Sequence, residues 1–405
     1  MSQRPDGKLD PVAEMGVMAD AMYRMGYQES ARAYVIQGLN AMLGGDNAGF
    51  VPKKLLQAWQ ASNIGAMFVR MWLKLFMRSL FYATWKDAET ALKYWISQEP
   101  QNAEAFIRFG LLQALHGSRE GQTMRADALD ALLSADGMLR NERSAAALLL
   151  AKNNFLKELV VPYDNAHIWV YPDIKNLTTY VLLEQSDWFE DEIALFREMV
   201  RPGDRILDLG ANVGVYSISA ALRTGSEGRV ISVEPCSETL KLLDRSAAAF
   251  DNMMVMNIAV GEKSGRGYLE LDSAPEFNKV RAGEGHGQAV NITSVDELAE
   301  RVGIDRFDLI KIDVEGYEIP VLRGAKKIIK EGNPIIFYEV TDGSGVNMKL
   351  VDAFRDLGYN SYWFCAPCRT LMQAHRGHSL NETALNMIAA RPESLSRFKG
   401  LVDIE

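Results

Sequence analysis

Arg205-Ile-Leu-Asp-Leu-Gly-Ala-Asn-Val-Gly-Val-Tyr-Ser217 is the most informative stretch of this chain. A short apolar run ends at Asp208-Leu209, Gly210 and Gly214 frame a tight turn, and a helix-like run opens at Val215. Glycine in such a turn lets the backbone approach a ligand, because no Cβ intrudes. Open α/β sheets bind their ligands at this corner, beyond the carboxyl end of a strand. A second run, Val230-Ile-Ser-Val-Glu-Pro235, ends in Glu234, about 20 residues beyond the turn, where an acidic side chain reaches a ribose diol.

Outward from this corner, strand-like and helix-like runs alternate. Strands are expected at 205–209, 229–233, 253–258, 309–312 and 335–339, and helices at 215–222, 238–249, 321–330 and 348–357. Such alternation implies a parallel sheet with helices on both faces, and right-handed crossovers make it a doubly wound, Rossmann-like α/β domain. Before Leu159 the sequence is rich in Ala, Leu, Met, Gln and Glu, with helical spacing over 31–43, 64–82, 88–96, 104–116 and 143–156 and breaks at Gly44-Gly45, Glu99-Pro100 and Gly117-Ser118. The expected organisation is an all-α domain over 1–159, a β-hairpin connector over 160–186 with strands at 167–171 and 178–183, and the α/β domain over 187–405.

Composition sets the bounds. With 405 residues, two or three domains are expected, and 48% hydrophobic residues are ample to offset chain entropy. The 44 basic and 53 acidic side chains give a net charge of −9, which argues against a nucleic-acid backbone binder. Three cysteines suit a reducing compartment. No secretory signal stands in the first residues, and the apolar stretch 64–85 is broken by Arg70, Lys74 and Arg78. A cytoplasmic protein with no transmembrane segment is expected. Arg70, Lys74 and Arg78 read as snorkelling residues of a core helix rather than a membrane-surface face.

Two ligands compete for the glycine turn. A dinucleotide site wants Gly-x-Gly-x-x-Gly to seat a pyrophosphate on a helix N-terminus. Here the spacing is Gly210-Ala-Asn-Val-Gly214 behind Asp208, a carboxylate that repels pyrophosphate and pairs with an ammonium or sulfonium. S-adenosylmethionine has that charge and a ribose for Glu234, so the pattern favours a methyl donor over NAD.

Asp208-Leu-Gly-Ala-Asn-Val-Gly-Val-Tyr-Ser217, Glu234-Pro235, Asn257-Ile-Ala-Val-Gly261, Lys311-Ile-Asp-Val-Glu-Gly-Tyr-Glu318, Val321-Leu-Arg-Gly-Ala325 and Glu339 together resemble the motif series of the FkbM-type methyltransferases, in order from about Asp187 to Arg391. The resemblance implies a class I S-adenosylmethionine-dependent fold and O-methylation of a sugar, glycan or natural product. It implies that Asp208, Gly210, Asn212 and Gly214 line the methionine side of the donor, that Glu234 holds the ribose and that Asn257 to Ala259 flank the adenine, with Ala211, Tyr216 and Pro235 also among the donor-binding residues. A C-terminal antiparallel hairpin pairing 361–364 with 384–390 is also in keeping with that class. The stretch 241–250 departs from the family in lacking its asparagine-rich text, and the helical first half lies outside the resemblance.

Methyl transfer to oxygen asks the protein for alignment and a proton acceptor. Asp313, Glu315 and Glu318 follow the strand 309–312, and Glu339 ends the next strand, so these acids are expected near the donor turn. Either Asp313 contacts the donor while Glu315 or Glu339 orients the acceptor hydroxyl without a metal, the favoured reading, or Asp313, Glu315 and Glu339 converge on Mg²⁺. The acceptor is expected to be deprotonated near Asp313, Glu315 or His286. Glu318 reads as a helix cap, and Lys311 is expected to span the sheet edge. His286, in the glycine-rich Gly283-Glu-Gly-His-Gly-Gln288, is a further candidate base on a lid-like loop. Cys236 reads as a buried filler. Cys365, Cys368, His375 and His378 have the ligand types of a small zinc site, although the hairpin reading of that segment is preferred. The rival functions are a scaffold that uses the helical half to bind a protein partner or a second copy, and an NAD-dependent oxidoreductase.

Overall fold

The computed structural model describes residues 99–119, 126–152, 156–190, 192–272, 278–339, 341–342, 345–365, 370–374, 386–400 and 403–404, with isolated positions between 89 and 97. The described residues form two compact units. One takes those up to Leu159 together with Pro172–Phe189, and the other takes Val160–Tyr171 and everything from Glu190 onward. The helices expected at 31–43 and 64–82, the Arg70, Lys74 and Arg78 face, and the segment with Cys368, His375 and His378 lie outside the described residues.

The first unit is helical. It contains α1 (Ala103–Arg119), α2 (Ala126–Leu139), α3 (Glu142–Lys152) and α4 (Leu177–Gln185). Asn102 starts α1 by accepting a hydrogen bond from the Glu104 N–H at 3.0 Å. α1 and α2 touch at Gly110, where a Cβ would fall 2.6 Å from Leu132 Cγ. The break expected at Gly117-Ser118 is absent, since α1 runs on to Arg119.

The strand expected at 178–183 is a helix. Asn176 Oδ1 accepts from the Thr179 N–H at 3.0 Å, Ser186 closes α4 in the left-handed conformation, and every residue from Thr178 to Glu184 is buried. A helix buried on all sides shows no polar face, so its period is invisible and its Thr, Tyr and Val content reads as β. The hairpin lies earlier. β1 (Leu159–Tyr163) and β2 (Ala166–Val170) form a two-stranded sheet, joined through Asp164 and Asn165 at φ of +47° and +63°. Two successive left-handed residues are the signature of a tight primed turn.

The second unit is a doubly wound α/β sheet. Its elements are α5 (Glu192–Met199), β3 (Arg205–Leu209), α6 (Val215–Thr224), β4 (Arg229–Val233), α7 (Ser237–Ala247), β5 (Met253–Met256), β6 (Ala259–Gly261), β7 (Gly265–Glu270), β8 (Lys279–Ala282), β9 (Gln288–Ser294), α8 (Val295–Val302), β10 (Leu309–Ile312), α9 (Glu318–Gly324), α10 (Lys326–Gly332) and β11 (Ile335–Glu339). After them come the short pair β12 (Thr341–Asp342) and β13 (Gly345–Val346), then α11 (Met348–Asp356), β14 (Asn360–Cys365), β15 (Thr370–Gln373), β16 (Asn386–Ala390) and β17 (Asp403–Ile404).

Nine strands form the main sheet in the order β17-β15-β14-β16-β11-β10-β3-β4-β5. Strands β11, β10, β3, β4 and β5 are parallel, whereas the β11–β16, β16–β14 and β14–β15 pairs are antiparallel and β17 lies parallel to β15. The expected C-terminal hairpin is therefore the β14–β16 pair, with β15 added on the other side of β14. The single helix expected at 321–330 is two, α9 and α10, broken at Ala325. A second sheet, ordered β6-β9-β7-β8, stands between β5 and α8 in the chain. Its strands β7 and β8 have no counterpart in the sequence reading, because both are short, charged and largely exposed.

Strand alternation assigns the two faces. Leu207, Leu209, Ile231, Val233, Ile310, Ile312 and Ile336 pack with Val295, Leu298, Val321, Ile329 and Phe354 from α8–α11. On the other face Phe196 of α5 meets Tyr216 of α6 and Phe337 of β11 edge-on, at centroid distances of 5.1 and 5.3 Å.

Asp164, with a side chain 7% exposed, ties the β1–β2 turn to this unit. It pairs with Arg223 at 2.5 and 2.9 Å and with Arg197 at 3.1 Å, and it accepts from Ser219 Oγ at 2.7 Å. Burial pushes its carboxyl up, but Arg223, Ser219 and Arg197 outweigh that and hold it below the usual range. The stabilisation is therefore complete at neutral pH and lost as the pH falls through the depressed value. Asp164→Asn should lower the free energy of urea unfolding at pH 7 by about 3 kcal/mol, read by tryptophan fluorescence, and the gap to the wild type should narrow as the pH is lowered below the ordinary carboxylate range.

Candidate functional site

The chain leaves β3 toward β4 and β5 on one side, while β10 and β11 lie on the other, so the order reverses between β3 and β10. Ligands of open α/β sheets bind in the crevice at such a switch point. The sequence builds that crevice from Asp208, Gly210–Gly214 and Asp313. Gly210 has φ +80°, and a Cβ there would sit 1.7 Å from the Asp313 carbonyl oxygen. Only glycine fits. The Gly210 and Ala211 N–H groups both donate to the Val233 carbonyl at 3.0 Å, which closes the turn against the end of β4. Asn212 (φ +48°) and Gly214 (φ +105°) continue the left-handed path into α6.

Glu234 faces that turn. Its Oε2 accepts from the Asn212 N–H at 3.0 Å and its Oε1 from the Cys236 N–H at 2.8 Å. Burial raises its pKa to about 7, although these two backbone donors pull it down. The neighbouring Asn257 is exposed, and its Nδ2 donates to the Glu234 and Pro235 carbonyls at 2.9 and 3.0 Å. Ala259 and Cys236 are buried together in the small cluster under the four-stranded sheet, as a filler role for Cys236 requires.

A polar stripe crosses the α6 side of the sheet. Ser232, Asp208 and Lys311 are register neighbours on β4, β3 and β10. Ser217 Oγ of α6 donates to Asp208 at 2.5 Å and lies 2.7 Å from Ser232 Oγ. Burial lifts the Asp208 pKa to about 6, against the pull of Ser217 and Lys311. Lys311 is at the centre of the sheet rather than its edge, 1% exposed. Its Nζ lies 3.0 Å from Asp313 Oδ2, 2.8 Å from Asn386 Oδ1 and 5.1 Å from the Tyr216 ring centroid. Tyr216 in turn donates to Glu190 Oε2 at 2.7 Å. Burial alone would lower the Lys311 pKa, but the Asp313, Glu190 and Glu339 carboxylates reverse this and hold it above its ordinary value.

The acids Asp313, Glu315 and Glu339 do converge, each offering an oxygen within 4.8 Å of the others. Glu315 is a non-glycine residue at φ +51°, a conformation that clusters at functional sites. Burial, then Asp313 and Glu318, raise its pKa to about 8. Glu318 is the first residue of α9, behind the N-cap residue Tyr317, and accepts from the Gly316 N–H at 3.0 Å, a group that precedes the helix, so it is not the expected cap. His286 stands exposed on the 283–287 loop, apart from this acid group. Sequence reasoning missed Asn386. It lies 75 residues from Lys311, and only the antiparallel return of β16 beside β11 brings it to the ammonium.

Residues 208–361 match the methyltransferase FkbM domain model. The chain carries an FkbM methyltransferase domain. The hexuronic acid methyltransferase AglP of Haloferax volcanii is 24% identical over 148 residues, which are 36% of this chain and 60% of that protein. The methyltransferase sdnD of Sordaria araneosa is 26% identical over 190 residues, 38% of this chain and 73% of that one. Among solved structures, an FkbM methyltransferase from Methylobacillus flagellatus KT has a TM-score of 0.32 and 18% identity over 53% of this chain and 54% of that one. The match thus spans less than two thirds of AglP.

In the FkbM domain, Lys311 is the buried counter-charge to two carboxylates. Lys311→Met keeps the stem, deletes the ammonium and leaves Asp208 and Asp313 uncompensated. The free energy of urea unfolding at pH 8 should fall by about 3 kcal/mol. A change under about 1 kcal/mol, the scale of an exposed pair, would contradict that role.

Proposed function

We propose that this chain is an S-adenosylmethionine-dependent O-methyltransferase whose acceptor is a hydroxyl of a sugar, glycan or natural product. The observation that carries this reading is the switch-point crevice, where Asp208 and Glu234 flank a turn that admits no Cβ at Gly210. Two acids suit a ligand with an ammonium, a sulfonium and a ribose diol, and they are hostile to a pyrophosphate. Bound there, S-adenosylmethionine supplies a methyl group on a positively charged sulfur. The domain match and the names of AglP and sdnD support methyl transfer, and AglP, a hexuronic acid methyltransferase, supports a sugar acceptor.

In this reading Asp208, Gly210, Ala211, Asn212, Gly214 and Tyr216 hold the amino-acid end of the donor. Glu234 takes the ribose hydroxyls, and Pro235, Asn257 and Ala259 form the adenine side. Lys311 and Asn386 fix Asp313, which with Glu339 orients the acceptor hydroxyl. Glu315 accepts its proton. A carboxyl with a pKa near 8 holds a proton more strongly than an ordinary carboxylate, which is what a base for a hydroxyl requires. Alignment of oxygen, methyl carbon and sulfur does the rest. Asp313 already shares its charge with Lys311 at 3.0 Å, poor provision for Mg²⁺, and no step here uses a metal.

The raised carboxyl pKa values make donor binding pH-dependent with a definite sign. Protonated Asp208 and Glu234 neither attract a cation nor accept from ribose, so affinity increases as the pH rises through 6 and 7. The Kd for S-adenosylhomocysteine, measured by calorimetry, should fall about tenfold or more between pH 5.5 and 8. In Glu234→Gln the binding should be weaker and the pH profile flatter. Equal affinity and an unchanged profile would place the donor elsewhere. With labelled donor and a panel of glycan acceptors, Glu315→Gln should keep donor binding and lose about 10²–10⁴-fold in kcat.

A further inference from the structure

Gln288, the first residue of β9, has no role in the site described above, yet both ends of its side chain are committed to the donor segment. Its Nε2 donates to the Pro235 carbonyl at 2.7 Å, and its Oε1 accepts from the Ser237 N–H at 3.0 Å. These two backbone groups flank Cys236, whose own N–H holds Glu234 Oε1. Ser237 is the first residue of α7, and the N-cap residue Cys236 offers no side-chain bond to that helix. A helix start leaves such N–H groups without intrahelical partners. Gln288 satisfies one of them from 51 residues away in the chain.

The partners of Gln288 on its other side are equally fixed. It directly follows the 283–287 loop, which is folded onto β7. A Cβ at Gly285 would lie 2.1 Å from the Tyr268 ring, and one at Gly287, where φ is +150°, would lie 2.1 Å from the Leu269 carbonyl oxygen. In register, Leu269 pairs with Gln288 itself. The loop, the four-stranded sheet and the Glu234–Ser237 turn therefore meet at one amide side chain. Asn257 Nδ2 reaches the same Pro235 carbonyl at 3.0 Å.

We infer that Gln288 is a positioning residue for the donor, which locks the Glu234–Ser237 turn from the four-stranded sheet so that the Glu234 carboxylate is aimed at the ribose. This rests on the donor site proposed above. Gln288 touches no ligand atom. Its effect passes through Glu234 and falls on the adenosine half of the donor.

A double-mutant cycle tests this, with S-adenosylhomocysteine and 5′-methylthioadenosine as calorimetric probes on the full chain. Loss of two ordinary hydrogen bonds predicts that Gln288→Ala weakens both probes by a similar factor, about 5- to 30-fold. Methylthioadenosine lacks the amino-acid end, so an equal loss locates the effect on the adenosine side. In a Glu234→Ala background the same substitution should cost less than about twofold, because residues acting through one another are not additive. Gln288→Glu keeps the acceptor to Ser237 but cannot donate to Pro235, and it should also bind more weakly while folding as the wild type does. If Gln288→Ala or Gln288→Glu binds both probes like the wild type, or if the losses from Gln288→Ala and Glu234→Ala simply add, the positioning role is wrong. If the wild type binds neither probe, the donor site itself is wrong and this inference falls with it.

Discussion

Lys311 sits in the parallel part of the main sheet, between β11 and β3 and 1% exposed, where an aliphatic residue would ordinarily stand. A buried ammonium is tolerable only when paired and hydrogen-bonded, and the surrounding structure is arranged to do that. β10 supplies Asp313 two residues on, β3 supplies Asp208 in register, and β16 returns antiparallel to place Asn386 beside it. The same demand explains why Asp208 is tolerated inside. It shares the Ser217 hydroxyl and the field of Lys311, and still its pKa remains near 6. Among the described residues, carboxylates outnumber the buried Lys311 ammonium around this crevice. In the proposed reading, the positive charge of the donor completes it.

Geometry at Gly210 links that electrostatic arrangement to the fold. The β3 turn passes so close to the Asp313 carbonyl that a single methyl would collide with it, so the two strand ends that border the switch point are held at contact distance. Asp208, Asn212 and Glu234 on one side, and Asp313, Glu315 and Glu339 on the other, are brought together by this approach rather than by any local motif. Glu315 accepts a left-handed backbone in the loop that follows.

Much of this was legible in the sequence. The strands at 205–209, 229–233, 309–312 and 335–339 are short, mainly apolar runs with an acid at or next to their carboxyl ends, and they emerge with those bounds. Asp208, Gly210, Glu234 and Asp313 stand at strand ends, where order along the chain reports position in space. What stayed hidden has physical causes. α4 is buried on every side and shows no period, β7 and β8 are short and exposed, and Asn386 and Gln288 act across 75 and 51 residues on groups that carry no sequence mark. Lys311 was misplaced because alternation gives the face of a strand, not its place in the sheet order.

The central claim is that Asp208 and Glu234 form the two ends of a donor site at the β3–β10 switch point. The crystal structure of the chain with S-adenosylhomocysteine tests it most directly. The expected result is density with the ribose hydroxyls within hydrogen-bonding distance of Glu234 and the amino-acid end over the Asp208–Gly214 turn. Density for the ligand away from that crevice, or a ribose held by groups other than Glu234, would contradict it.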